Sequence, residues 1–292
     1  GGKQTLIDFV SWSKKNYPAK HYALYFWGHG WSWHPGYVME DDTDNDALDL
    51  DELKQALPSL GFIDLVGYDG CNMSAVEVGT AWRGYASAMT GSQEYVDWSG
   101  IDYKEVLSAL EAHPGMSADQ LAVISAQSAT QDKTWSAIAL DARFDRLLEA
   151  TREWAAVLKN GLPKYRKQYA RAFATLHRFE EAATDRDLLE LTKNMERYVD
   201  EGQIREKSAA LRSAFAPVIL SERHRAEIKG VTGLSITVLD KKNTDHQERN
   251  YYRATDFAHE TQWGEFLSEY LREGRSEEHT SELQSRQYLV CR

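Results

Sequence analysis

The sequence predicts an α/β fold in which helices cover both faces of a mostly parallel central sheet. Two short apolar runs, residues 22–27 and 62–68, are rich in aromatic and β-branched residues and are bounded by glycine, which is typical of buried parallel strands. The other predicted elements are strands at 85–90 and 135–140 and helices at 72–82, 103–112 and 117–127. This alternation of strands and helices predicts a three-layer α/β/α arrangement.

A long helical pattern in residues 141–228 departs from this alternation. Phe144, Leu147 and Leu148 begin an apolar stripe at helical spacing, with charged residues between the apolar positions. We expect Gly161-Leu162-Pro163 to break the pattern once and residues 233–239 to return to a strand. The sequence therefore predicts a helical insertion at about 141–230, packed beside one sheet within a single domain that spans residues 1–274.

A histidine and a cysteine follow the ends of the first two predicted strands. His29 comes after the run 22–27, and Cys71 comes after the run 62–68, 42 positions later. That separation is long enough for a loop, a helix and a return strand, so one right-handed βαβ unit can bring both side chains to one edge of the sheet. Ligands of α/β folds bind at this edge.

A cysteine beside a histidine can act as a nucleophile when its thiol is deprotonated. We expect a helix to start at Cys71, so that its N-terminus and a nearby imidazolium lower the thiol pKa. His29 can then protonate a leaving amine, and the N–H groups of Gly30 and Cys71 can bind a developing oxyanion. The alternative is that Cys71 is an inert buried thiol and His29 an ordinary turn residue.

The residues around this pair resemble a known family. Gly28-His29-Gly30 and Asp69-Gly70-Cys71-Asn72-Met73-Ser74 are similar to the sequence blocks of the clostripain-like cysteine peptidases, in the group of caspases, legumains and gingipains. Ser92-Gln93-Glu94 and Gly233-Leu234-Ser235-Ile236 also look like landmarks of that family. The resemblance implies a caspase-like fold and a cysteine endopeptidase that uses a His29/Cys71 dyad, while Gly28, Gly70 and Asn72 depart from the usual pattern.

The resemblance also implies cleavage after Arg or Lys. Asp69 matches an acidic residue that the family places in its S1 pocket, where a carboxylate selects a cationic side chain. Asp97 could supply the second family acid through a shifted loop, but an ungapped match puts Ser99 there. The alternative for Asp97 is a solvated loop acid. The alternatives for the whole protein are the same dyad with a non-basic P1 preference, or a catalytically silent homologue that binds peptides.

Acidic residues are concentrated between Glu40 and Glu52. One interpretation is a calcium site, with Asp41 and Asp42 as candidate ligands, because some relatives in the resembled family depend on calcium and carboxylates are hard oxygen ligands. The other is a solvated loop followed by a helix that Asp49 caps, with Glu52 three residues later. Both can hold at once. The chemistry of the dyad itself requires no cofactor.

Composition limits the classes of partner. The chain is 42% hydrophobic and 27% charged, its net charge is −11, and it has no apolar run near the roughly 20 residues that a membrane helix needs. A negative charge of this size argues against binding nucleic acid and is compatible with basic peptide substrates. The sequence has no HExxH or CxxC spacing, so zinc is not expected.

Both ends of the chain look unnatural. Residue 1 is Gly rather than an initiator Met, and we expect the N-terminus to be truncated, which leaves a signal peptide or lipid anchor open. Residues 275–292 resemble a translated sequencing adapter. Without Cys291, only Cys71 remains, so no disulfide framework is expected. The family resemblance implies a secreted or cell-envelope location.

Overall fold

The computed structural model describes residues 2–34, 39–41, 46–129, 132–180 and 182–272. The strands are β1 (Ala23–Trp27), β2 (Met39–Asp41), β3 (Asp46–Leu48), β4 (Ile63–Asp69), β5 (Ala86–Gly91), β6 (Thr134–Ala139), β7 (Asp185–Asp187), β8 (Ile219–His224) and β9 (Ser235–Thr237). The helices are α1 (Lys3–Asn16), α2 (Leu50–Leu60), α3 (Val76–Trp82), α4 (Tyr103–Ala112), α5 (Ala118–Ser128), α6 (Ala142–Ala174), α7 (Leu188–Tyr198), α8 (Gly202–Phe215), α9 (His246–Ala254), α10 (Asp256–Glu260) and α11 (263–272).

The central sheet has five strands in the order β1-β4-β5-β6-β8. Strands β1, β4 and β5 pair in parallel, β6 is antiparallel to β5, and β8 is antiparallel to β6. Four of the five strands therefore run in one direction, and β6 alone runs the other way. As a result, β6 begins at the edge of the sheet where β1, β4 and β5 end.

Both faces of this sheet are covered by helices. Neighbouring residues of one strand point into different apolar clusters: Leu65 of β4 faces α4 and α5, whereas Val66 faces the larger cluster on the other side. Ala137 and Ile138 of β6 divide in the same way. This alternation buries the sheet between two helical layers, as the period of two in a strand requires. The predicted fold class is confirmed.

The helix predicted to begin at Cys71 begins five residues later, at Val76. The main chain before it instead bonds to the segment that follows β5: the N–H of Asn72 donates to the carbonyl oxygen of Glu94 at 3.2 Å, and the N–H of Ser74 donates to that of Ser92 at 2.9 Å. These tertiary bonds take up donors that a helix would otherwise leave to water or to caps. The prediction that a helix N-terminus lies at the thiol is therefore wrong.

The helical pattern after residue 141 is broken at other places than predicted. Helix α6 continues through Pro163, and Gly161 makes room for Tyr169, since a Cβ on Gly161 would lie 2.4 Å from that hydroxyl. The prediction of helix up to residue 228 is wrong at β7 and β8, and β8 is a strand of the central sheet. Helices α6, α7 and α8 thus lie between the neighbouring strands β6 and β8 and pack on one another. The predicted late strand is β9, which pairs with β7 in a separate two-stranded sheet.

The acidic segment before α2 behaves in part as predicted. The side chain of Asp49 accepts a hydrogen bond from the N–H of Glu52 at 2.8 Å, which confirms the predicted helix cap. Asp42 lies outside the described residues, and of Asp41 only its place at the end of β2 is described. In the described part of the chain, no three His, Cys, Asp or Glu side chains are arranged to hold a metal ion.

Candidate active site

The pairing of β1 with β4 sets the positions of His29 and Cys71. Trp27, the last residue of β1, pairs with Asp69, the last residue of β4, and the N–H of Gly28 donates to the carbonyl oxygen of Asp69 at 3.2 Å. His29 and Cys71 each come two residues after these paired ends. Neighbouring parallel strands lie about 4.8 Å apart, so equal extensions of the two strands leave both residues at the same point of the sheet edge.

The two loops that carry these residues are in direct contact. A Cβ on Gly30 would lie 2.6 Å from the carbonyl oxygen of Cys71, and a Cβ on Gly70 would lie 2.7 Å from that of Gly28. Only glycine allows the backbones to approach so closely. His29 is exposed, whereas Cys71 is only 6% exposed. The structure therefore brings the loops of the predicted dyad together, with the thiol beneath the surface.

The thiol of Cys71 has a hydrogen-bond donor of its own in place of a helix N-terminus. The N–H of Val96 donates to Sγ at 3.3 Å, and Sγ lies 4.0 Å from the carbonyl oxygen of Val96, to which the protonated thiol can donate. The next residue, Asn72, adopts φ of +57°, and its Nδ2 donates to the carbonyl oxygen of Gln93 at 2.9 Å. Asparagine adopts this left-handed conformation more readily than most residues that have a Cβ, which is a physical reason for its place directly after the cysteine.

Asp69 is buried at the end of β4, beside the cysteine loop. Its carboxylate accepts hydrogen bonds from the N–H of Ile101 at 3.3 Å and from the Tyr103 hydroxyl. Burial raises the pKa of Asp69, while these two donors act in the opposite direction. Gly100 is in contact with the carboxylate and has φ of +50°, so both space and conformation require glycine there. Asp69 is a fixed acidic group next to the nucleophile candidate.

The side chain of Asp97 is exposed, and it is the main chain of this residue that contacts the sheet edge. The N–H of Asp97 donates to Oδ1 of Asp132 at 2.8 Å. Asp132, which the sequence did not indicate as a candidate, is buried at this edge of the sheet. It lies two residues before β6, and it belongs to this edge only because β6 runs against its neighbours. Burial raises the pKa of Asp132 to about 6. The charges of Asp69 and Asp97 also raise it, whereas the hydrogen bond from Asp97 N–H and the charge of Arg223 lower it.

The segment Ser92-Gln93-Glu94 is buried beneath this edge of the sheet and is held by side-chain hydrogen bonds. Gln93 donates through Nε2 to Asp187 at 3.1 Å and accepts at Oε1 from the N–H of Gly233 at 2.7 Å. Burial alone would raise the pKa of Glu94, but hydrogen bonds from His177 and the N–H groups of Glu180 and Tyr95 hold it below its usual value. These residues fix the loop that carries Val96, so they act as framework.

This geometry can be compared with known proteins. A family model of the clostripain family matches residues 1–270. The chain belongs to the clostripain family. This clostripain-family chain is accordingly a cysteine peptidase, a hydrolase of peptide bonds, and cysteine peptidases of this family generally need no cofactor. No curated protein matches the chain.

Solved structures show the same fold as this clostripain-family chain. A secreted C11 cysteine protease from Bacteroides thetaiotaomicron, in complex with an irreversible peptide inhibitor, has a TM-score of 0.70 at 18% identity, covering 89% of this chain and 78% of that one. An inactive zymogen C11 protease from Parabacteroides distasonis has a TM-score of 0.68 at 20% identity, covering 89% and 75%. The likeness confirms the caspase-like fold. No described helix of this chain is both long enough and apolar enough to cross a membrane.

Proposed function

We propose that this chain is a cysteine endopeptidase that uses a Cys71/His29 dyad and cleaves after Arg or Lys. The observation that carries the proposal is the equal extension of His29 and Cys71 beyond the paired ends of β1 and β4, with the backbones of their loops in contact. The fold alone, without the peptidase chemistry, would not require a histidine and a cysteine at these two matched positions.

In the proposed reaction, the Cys71 thiolate attacks the carbonyl carbon of the scissile peptide bond. The N–H groups of Gly30 and Cys71 are the proposed donors to the oxyanion of the tetrahedral intermediate. His29, as imidazolium, gives a proton to the leaving amine, so the C–N bond breaks and an acyl-enzyme thioester remains. Water, deprotonated by His29, then attacks the thioester and regenerates the thiolate. The hydrogen bond from Val96 N–H supports the thiolate between turnovers.

The proposed basic specificity rests on Asp69. Its carboxylate is fixed by Ile101 and Tyr103 two residues before the nucleophile, and a cationic P1 side chain would compensate its buried charge. Asp97 is exposed and is expected to add a weaker attraction at the mouth of the pocket. We also propose that the protein acts outside the cytoplasm, which agrees with a structural neighbour described as secreted.

The test is cleavage of fluorogenic peptides with Arg, Lys, Asp or Asn at P1, by the wild type, Cys71→Ala and Asp69→Asn. We expect turnover of the Arg and Lys peptides, none in Cys71→Ala, and a loss of about 10-fold to 100-fold in kcat/KM in Asp69→Asn, because a hydrogen bond to a charged group is removed. Asp200→Asn, which makes the same change at an exposed position outside the candidate site, is the matched control.

The same assay separates the alternatives. A folded wild type that binds peptides but cleaves none of them would identify a silent peptide-binding homologue, and preferred cleavage after Asp or Asn would retain the dyad and reject the basic pocket. Assays with added calcium and with a chelator test Asp41 and Asp42 as calcium ligands, since the proposed chemistry itself uses no metal.

A further inference from the structure

Three acidic side chains meet the same edge of the sheet from three chain segments. Asp69 ends β4, Asp97 lies in the loop after β5, and Asp132 precedes β6. The N–H of Asp97 donates to Oδ1 of Asp132 at 2.8 Å, so these two segments are in direct contact, and the charges of Asp69 and Asp97 both act on Asp132. The loop that carries Asp97 also carries Val96, the residue whose N–H donates to the Cys71 thiol.

Asp132 has a carboxylate oxygen without a partner. The residue is 1% exposed, and its Oδ1 accepts the hydrogen bond from Asp97 N–H. Its Oδ2 is buried and has no hydrogen-bond partner among the described residues. The neighbouring guanidinium of Arg223 donates instead to the main-chain carbonyl oxygens of Ala129 and Asp132. An unpartnered buried carboxylate oxygen is costly, so this position favours a cationic donor from outside the chain.

We propose that Asp132 is a specificity-determining residue of the S1 pocket, where its Oδ2 and the Asp69 carboxylate bind the guanidinium of a P1 arginine. This inference rests on the proposed function. A guanidinium presents five N–H donors in one plane and can bridge two carboxylates that approach from different strands. The lysine ammonium is compact and strongly hydrated, and it is satisfied by Asp69 with water. The pocket therefore prefers Arg to Lys.

A purely structural role of Asp132 makes a different prediction. If Asp132 only anchors the loop through Asp97 N–H, then asparagine, which retains an acceptor oxygen for that bond, should preserve every peptidase activity. If Asp132 binds the guanidinium, Asp132→Asn removes the charge and the free acceptor and should affect Arg peptides selectively.

The experiment measures kcat and KM for matched Arg and Lys peptides in the wild type, Asp132→Asn and the control Asp200→Asn, which removes a charge at a position 91% exposed. For Asp132→Asn we expect kcat/KM on the Arg peptide to fall about 10-fold to 100-fold, mainly through KM, and that on the Lys peptide to fall less than about 3-fold. An Arg-to-Lys ratio that stays within a factor of two of the wild type would overturn the inference.

Two further outcomes also decide whether Asp132 binds the P1 arginine. If Asp132→Asn does not fold, the wild type decides. The inference requires the wild type to prefer the Arg peptide by at least about tenfold. A smaller preference, or a preference for the Lys peptide, rejects it. If the wild type cleaves neither peptide although iodoacetamide labels Cys71, the proposed basic specificity has failed and this inference falls with it. Cleavage of both peptides with an unchanged ratio rejects Asp132 alone.

Discussion

Among the residues that the structure describes, carboxylate oxygens are buried without hydrogen-bond partners in two different places. One is Asp132, at the edge of the sheet beside Cys71. The other is the interior between α3, β7 and β9, where Glu77 and Asp185 each have one oxygen without a partner among the described residues. In the interior, the other oxygen of Glu77 accepts from the N–H of Thr237 at 3.1 Å and from the Tyr252 hydroxyl at 2.8 Å.

The difference lies in what can neutralise each group. Burial, with the charge of Asp185 next, raises the pKa of Glu77 to about 7, so a proton held in the interior lowers the cost of burying two carboxyl groups. Asp132 borders the candidate active site, where a cation can arrive with the substrate. We therefore expect the interior acids to contribute to stability, and we propose that the acids at the sheet edge contribute to specificity.

The largest effect should come from the edge. The side chain of His29 is exposed, so His29→Ala should leave the melting temperature unchanged while kcat falls about 10²-fold to 10⁴-fold, the usual contribution of a general acid and base. Peptide hydrolysis and a thermal melt on the same sample measure the two quantities. His113→Ala, at another exposed histidine, is the control, and a loss of less than tenfold would reject His29 as the catalytic acid and base.

The interior should respond in the opposite way. Glu77→Ala removes the acceptor of Thr237 N–H and the Tyr252 hydroxyl, so the free energy of unfolding should fall by about 2–4 kcal/mol while kcat per folded molecule is retained. Urea unfolding followed by active-site titration separates these quantities. Glu77→Gln keeps an acceptor oxygen and should cost much less. Loss of kcat in a folded Glu77→Ala protein would show that the interior acids also affect catalysis, and would contradict the separate roles of the two regions.

The pH dependence of stability sharpens the same division. Because the pKa of Glu77 is about 7 in the folded chain and about 4.3 when unfolded, the folded chain holds more protons between these values. This contribution to stability is therefore complete below about pH 4.3 and is lost as the pH rises through 7, by about 1–3 kcal/mol. Unfolding curves from pH 4.5 to 8 should show this loss, and Glu77→Gln should reduce it. Equal pH slopes for both proteins would contradict a proton on Glu77.

The smallest effect belongs to Asp97. Its side chain is exposed, and its contact with Asp132 uses the main chain, so Asp97→Asn should lower kcat/KM on basic peptides less than about fivefold. The loss should shrink further at high salt, because exposed charges are screened. A larger, salt-independent loss would show that Asp97 enters the pocket when substrate binds.

The parts of the fold that follow from local sequence were predicted, and those that depend on tertiary pairing were not. Strands β1, β4, β5 and β6 lie within one residue of their predicted positions because each is a short segment rich in apolar and small residues. Strand β8 is half-buried and contains Glu222 and Arg223, so it lacks that signal. The segment 72–75 has a helical pattern but bonds to residues 92 and 94, so tertiary contacts outweigh its local propensity.

The site divides along the same line. His29 and Cys71 could be proposed from sequence because they follow two recognisable strands, and Asp69 could be proposed from the family resemblance. Asp132 could not be found in this way, because its place at the edge depends on β6 running antiparallel to β5, and no local pattern specifies a strand's direction. The nearest sequence signal was its position just before an apolar run.

The most direct test of the account is covalent labelling with peptidyl acyloxymethyl ketones that carry Arg, Lys or Asp at P1, followed by intact mass measurement and peptide mapping. We expect one inhibitor per chain, attached to Cys71, with the Arg probe reacting fastest and the Asp probe at least about tenfold slower than either basic probe. Labelling that persists in Cys71→Ala, or a Cys71 that reacts with iodoacetamide but with no peptide probe, would contradict it.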